Sequence, residues 1–142
     1  MNIQFFDFEI FDLEGSSEVN IFGSESSDLL LLIEEEEFTI HKELISKIMG
    51  AINYNIDNDI RICLLRQAQN VNLAQLVGEG INYVIAFGIN PKNLSLNASF
   101  KANYFYKTES FEIMLSHSLT ELNENKVYKK SLWTELQKKF LK

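Results

Sequence analysis

The chain has 142 residues, 46% of them apolar, with 11 phenylalanines, one cysteine and a formal net charge of −7. That length and apolar content suffice for one domain with a real core and argue against disorder. One cysteine excludes an intramolecular disulfide framework, the net acidity argues against strong affinity for nucleic-acid phosphate, and no apolar run approaches the length of a bilayer span.

The charge is unevenly distributed. Residues 1–37 hold 11 acids and no Lys or Arg, whereas residues 38–142 hold the other 9 acids and all 13 bases. The last 17 residues contain six Lys and one Glu, read as the solvated face of a helix whose lysines complement its own dipole. The N-terminus has no basic residue ahead of its apolar positions and no small-residue cleavage site, so no secretory signal is expected and the expected compartment is the cytoplasm.

In chain order, residues 1–27 stand apart as an arm and linker. Phe5, Phe6, Phe8, Ile10, Phe11 and Leu13 are interleaved with Asp7, Glu9, Asp12 and Glu14. Gly15-Ser16-Ser17 and Gly23-Ser24-Glu25-Ser26-Ser27 follow as flexible polar stretches. Such a segment is either an arm or extra strand laid on its own domain, or a peptide that orders on a partner.

Residues 28–142 read as a single α/β domain. Leu29–Ile33 is apolar on both faces and suits a central strand covered on both sides. Glu34–Glu37 at its exit could ligate a metal, but carboxylates there are more simply solvated or set against a helix N-terminus. Thr39 is a candidate N-cap for a helix striped by Ile40, Leu44, Ile45, Ile48, Met49 and Ile52, ending at Asn53-Tyr54-Asn55. Ile60–Leu65 is a second strand, with Cys63 as a buried small hydrophobe. Asn70 or Asn72 opens a short helix through Val77, and Asn82–Phe87 is a third strand turning at Gly88-Ile89-Asn90-Pro91. Strand, helix, strand, helix, strand implies right-handed parallel crossovers. Asn103–Tyr106 and Phe111–Leu115 pattern as a hairpin that brings a last strand into the sheet. Ser118 caps a turn through Leu122, Asn123-Glu124-Asn125 breaks it, and a final helix lines Tyr128, Leu132, Trp133, Leu136 and Phe140 on one face.

Catalytic motifs are sparse. There is no P-loop, dinucleotide fingerprint or nucleophile elbow, and two His with one Cys make no zinc pattern. His41 reads as a surface residue. His117, in a turn after a strand, is a candidate catalytic histidine or, more simply, a locally hydrogen-bonded one. Gly88 would permit close backbone approach to a ligand, or merely a sharp turn.

Two blocks together carry a resemblance. One is Tyr83-Val84-Ile85-Ala86-Phe87-Gly88-Ile89-Asn90-Pro91. The other is Ser118-Leu119-Thr120-Glu121-Leu122, then Asn125, Lys129 or Lys130, and Leu132-Trp133. They resemble the psi subunit of bacterial DNA polymerase III over roughly the last 60 residues. The resemblance implies a three-layer α/β/α fold with a mostly parallel central sheet and uracil-DNA glycosylase-like topology, without that family's active site. It implies a non-catalytic accessory protein of the replicase, with no cofactor, whose N-terminal peptide binds clamp-loader subunits. Phe5, Phe6, Phe8, Phe11 and Leu13 would make that contact, and the folded domain would meet a chi-like subunit. The acidity of this segment departs from psi N-termini, which favour Trp or basic residues. The alternatives are a uracil-DNA glycosylase-like enzyme or DNA-binding protein using His117 and the basic helix, and a generic small α/β interaction domain. Against the enzyme, the strand running into Glu34–Glu37 has no Gly or Pro, and Ser116-His117-Ser118-Leu119 lacks the prolines of the glycosylase loop.

Overall fold

The computed structural model describes residues 20–78, 80–96 and 98–141. The arm residues Phe5, Phe6, Phe8, Phe11 and Leu13 lie outside them. The chain is an α/β protein built on a six-stranded mixed sheet. In chain order the elements are β1 Asn20–Gly23, β2 Leu29–Glu34, α1 Glu35–Ile40, α2 Lys42–Gly50, β3 Arg61–Leu65, α3 Leu73–Leu76 and β4 Tyr83–Phe87. A 3-10 turn at Pro91–Leu94 follows, then β5 Phe105–Lys107, β6 Glu112–Ser116, α4 Leu119–Glu124 and α5 Lys126–Phe140.

The strand order is β1-β3-β2-β4-β6-β5. The inner pairings β3–β2, β2–β4 and β4–β6 are parallel, and the two edge pairings are antiparallel. Central placement follows from composition: Leu29–Ile33 are all at most 1% exposed, which only a strand covered on both faces requires. The connection from β2 to β3 steps one way across the sheet, and that from β3 to β4 steps back past β2. One-handed crossovers then place their helices on opposite faces. Accordingly Leu29, Leu31, Ile33, Ile85 and Phe87 pack with Ile45, Met49, Leu119, Leu132 and Leu136. Leu30, Leu32, Cys63, Val84 and Ala86 pack with Val71, Leu73 and Leu94 on the other side. Among the described residues the first face carries α1, α2, α4 and α5, and the second has only the one-turn α3, the 3-10 turn and irregular chain. Among the described residues no helix is long and apolar enough to cross a membrane.

Three local expectations change. Asn20–Gly23 falls in the stretch read as arm and linker, yet it is the edge strand β1, paired with β3 from Asn20↔Leu64 to Gly23↔Arg61. Gly23 ends it at φ +101°, where a Cβ would strike the Ile60 carbonyl oxygen, so glycine is required for the chain to leave so close to β3. The helix expected to be capped by Thr39 starts at Glu35, with Glu34 in the cap position. Thr39 is inside α1, its hydroxyl donating to the Glu35 carbonyl at 3.0 Å, because Glu35–Glu37 fill a first helical turn that carboxylates favour. The apolar stripe spans two helices, with α1 giving way to α2 at His41 and α2 stopping at Gly50.

The hairpin takes shape as β5 and β6, with β6 parallel to β4 and β5 at the edge. Two side-chain caps divide the tail. Ser118 and Glu121 form a capping box on α4. Asn125 ends α4 and its Oδ1 accepts from Val127 N and Tyr128 N at 3.0 and 3.2 Å, opening α5. Along α5, Leu132 and Leu136 are buried, while Tyr128, Trp133 and Phe140 pack half-buried at the flanks. The break at Asn125 lets α5 swing back over the sheet, where Phe140 meets Tyr54 and Tyr83 edge-on at 5.5 and 4.9 Å.

Candidate functional site

In parallel sheets of this kind, ligands gather outside the carboxyl ends of the strands, where the chain order reverses. Here that point lies between β2 and β4, and Glu34, Arg66, Gly88 and His117 exit there. A polar cleft of about 220 Å³ runs between the β3 and β4 exits, lined by Glu34, Arg66, Gln67, Gln69, Asn90 and Asn93 among others. Its amides are largely committed to the loops themselves. The Asn90 Oδ1 accepts from Lys92 N at 3.0 Å, and Asn93 Nδ2 donates to Asn70 Oδ1 at 2.7 Å. The Gln69 Oε1 accepts from Arg66 N at 2.9 Å.

Gly88 is explained by packing. It sits at φ +68°, and a Cβ there would lie 2.8 Å from both Cα and Cβ of Ser118. The glycine lets the β4 exit pass against the start of α4, and Gly88 N donates to the Ser116 carbonyl at 3.0 Å.

The polar residues beside it are tied into one network. The Thr120 amide donates to Glu37 Oε1 at 2.9 Å, and its hydroxyl donates to Glu37 Oε2 at 2.6 Å. His41 Nε2 stands 3.0 Å from the Thr120 Oγ1. Because the only hydroxyl proton of Thr120 goes to Glu37, the histidine must donate, which assigns its proton to Nε2. His41 is therefore half-buried and bonded, not the free surface residue its position suggests. Among the described residues Glu37, alone of the four consecutive glutamates, makes a side-chain hydrogen bond to another element: it holds the first turn of α4 to α1. Among the described residues no group of three or more His, Cys, Asp or Glu side chains is placed to share a metal ion.

His117 is engaged through its ring face. It stacks on Tyr128 with centroids 3.7 Å apart and planes 7° from parallel, and its Nδ1 lies 3.9 Å from Glu121 Oε1. The stack fixes the start of α5 against the end of β6. Cys63 is fully buried, and burial pushes its thiol up to about 12, which suppresses the thiolate that nucleophilic chemistry needs.

A mostly apolar concavity lies elsewhere. Leu44, Ile48 and Ala51 of α2 face Leu132 and Trp133 of α5 across a groove of about 260 Å³, with Lys47 and Lys129 completing its lining. In sequence, Leu44 and Ile48 belong to the apolar stripe of one helix and Trp133 to the lined face of the last one. The width of the stripe on α2 was the available signal: a face that broad exceeds what one neighbouring helix covers.

No protein-family model matches this chain, and no curated protein or solved structure matches it.

Proposed function

We propose that this chain is a non-catalytic accessory protein of the bacterial replicase, psi-like, bridging the clamp loader to other replisome proteins by protein–protein contact in the cytoplasm. The observation that carries the reading is the use made of the carboxyl edge. There Glu37, His41, Gly88, His117, Ser118 and Thr120 hold α1, α4 and α5 together. The blocks that carry the psi resemblance also have coherent physical roles. Tyr83–Phe87 is an inner strand, Leu119, Leu122 and Leu132 are buried, and Trp133 opens onto an apolar groove. The inner strands run in the order β3-β2-β4-β6, an arrangement of first strand flanked by second and third that we assign to the uracil-DNA glycosylase-like class.

On this reading Phe5, Phe6, Phe8, Phe11 and Leu13 dock on clamp-loader subunits, and the folded domain is free to meet a chi-like partner. The tagged full-length chain, used as bait in extract of its own cell, should enrich clamp-loader subunits. The Phe8→Asp/Phe11→Asp variant should lose them. An extract in which the wild-type bait brings down none of these subunits would sink the proposal.

A further inference from the structure

We infer that the protein self-associates through β1: two copies pair their edge strands antiparallel about a two-fold axis at Phe22, joining their sheets into one. The contact belongs to that edge alone and is independent of the replisome reading.

A sheet edge leaves one row of backbone groups unpaired, and proteins usually guard it with charge, proline or a bulge. The two edges of this sheet differ in that respect. β5 is three residues long and ends on Lys107. β1 reads Asn20-Ile21-Phe22-Gly23, with no charge and no proline. All four of its residues are exposed, Ile21 at 43% and Phe22 at 41%. Among the described residues its only strand partner is β3.

Register decides which backbone groups face outward. Ser24 N donates to the Ile60 carbonyl at 3.1 Å, in line with the pairs Asn20↔Leu64 and Phe22↔Ile62. Alternation along an antiparallel pair then turns Asn20, Phe22 and Ser24 towards β3. It turns the N–H and C=O of Ile21 and the N–H of Gly23 towards the open side. About a two-fold axis at Phe22, the Gly23 N–H of each copy meets the Ile21 carbonyl of the other. Phe22 then opposes itself in the narrow, non-hydrogen-bonded kind of pair, where side chains are closest.

The strand suits a second copy better than a foreign one. Pairing about a two-fold axis sets a strand's charges against their own duplicates, and Asn20–Gly23 has none to repel. Phe22 already packs edge-on to Phe38 of α1 at 5.9 Å, so pairing at Phe22 extends that contact into a row of Phe38, Phe22 and their duplicates. Arg61 stands across from Gly23 on β3, and its Nη2 donates to the Glu25 carbonyl at 2.5 Å. That cation is thus engaged within its own chain. Strands of four residues make a small interface, below the size of permanent dimers, so the association is reversible.

Sedimentation velocity on the full-length chain should show monomer giving way to dimer between about 10 µM and about 1 mM, the range suited to so small an interface. Ile21→Pro puts its ring on the outward edge and removes no bond to β3. It should weaken association by about tenfold or more, the added backbone bonds being lost. Phe22→Glu and Phe22→Lys, each opposed to itself, should stay monomeric, whereas their equimolar mixture should associate. Phe22→Cys should give a covalent dimer on oxidation, because the Cα separation of about 4.5 Å in a narrow pair suits a disulfide. Ile21→Cys, opposed to Gly23 on the other face of the sheet, should not. Cys63 is fully buried and does not compete. A wild type that stays monomeric throughout overturns the inference and leaves the edge to a foreign strand. So does a Phe22→Cys protein that yields no more covalent dimer than Ile21→Cys, or a Glu/Lys mixture, both components folded by circular dichroism, that remains monomeric.

Discussion

At the scale of single residues, two positions are decided by close contact. Gly88 combines φ +68° with a Cβ position 2.8 Å from the Ser118 backbone. Gly88→Ala should therefore cost about 2–4 kcal/mol, from left-handed strain plus displacement of the α4 start. Urea denaturation measures it, and Gly50→Ala, where a Cβ meets nothing within 4 Å, is the control expected to be neutral or stabilising. Cys63 gives a pH signature. Its thiol is raised from 9.0 to about 12 by burial, so the folded state keeps a proton that the unfolded chain releases. Stability from this group is fully present below pH 9.0 and is lost as pH rises towards about 12. Tyr54 titrates in the same direction, its phenol raised by burial and by donation to Asp28 Oδ1 at 3.0 Å. Equilibrium denaturation from neutral to strongly alkaline pH should show the fall, and Cys63→Ala should flatten its lower part. Cys63 was legible as a buried hydrophobe from its neighbours alone, because period and composition report burial. The reason for Gly88 was not legible, because its collision partner lies thirty residues downstream in another loop.

At the scale of elements, the joint between α1 and α4 carries the chemistry that a catalytic reading would have claimed. Both Glu37 oxygens are occupied by Thr120, so Glu37→Gln loses charge-assisted acceptance at the start of α4 and should cost about 1–3 kcal/mol. Glu36 is exposed and makes no such contact, and Glu36→Gln should change stability by less than about 0.5 kcal/mol. A double-mutant cycle of Glu37→Gln with Thr120→Val, followed by chemical denaturation, should return a coupling of about 1 kcal/mol or more. Additive effects would refute the clamp. The sequence shows four equivalent glutamates; only the angle at which α1 leaves β2 distinguishes the third residue of the helix from its neighbours. Capping was more accessible. Ser118 is recognisable because an N-cap is a local arrangement spanning three residues, whereas Asn125 reads from sequence only as part of a break and proves to cap α5 as well. Thr39 misled because the glutamates before it already favour the helix.

At the scale of the whole molecule, contacts between elements occupy the carboxyl edge of the sheet: Glu37 and His41 meet Thr120, Gly88 passes against Ser118, and His117 stacks on Tyr128. Incubation with uracil-containing DNA should yield no abasic product, since the His117 ring face is held against Tyr128.

The division between what composition and pattern dictate and what the fold adds is a matter of range. Hydrophobic period depends on neighbours within a turn or a pleat, so β2, β3, β4, β6 and the buried face of α5 follow from it with small shifts at their ends. The edge strand β1 does not, because four residues in a polar stretch bear no such period and are held by pairing with β3 and by Phe22 against Phe38. Long-range meetings belong to the tertiary structure for the same reason. Glu37 and His41 reach Thr120 across 83 and 79 residues, and Lys47 and Lys129 come to share one groove. Those pairings are set by which way each crossover steps across the sheet, information that no local window of the chain contains.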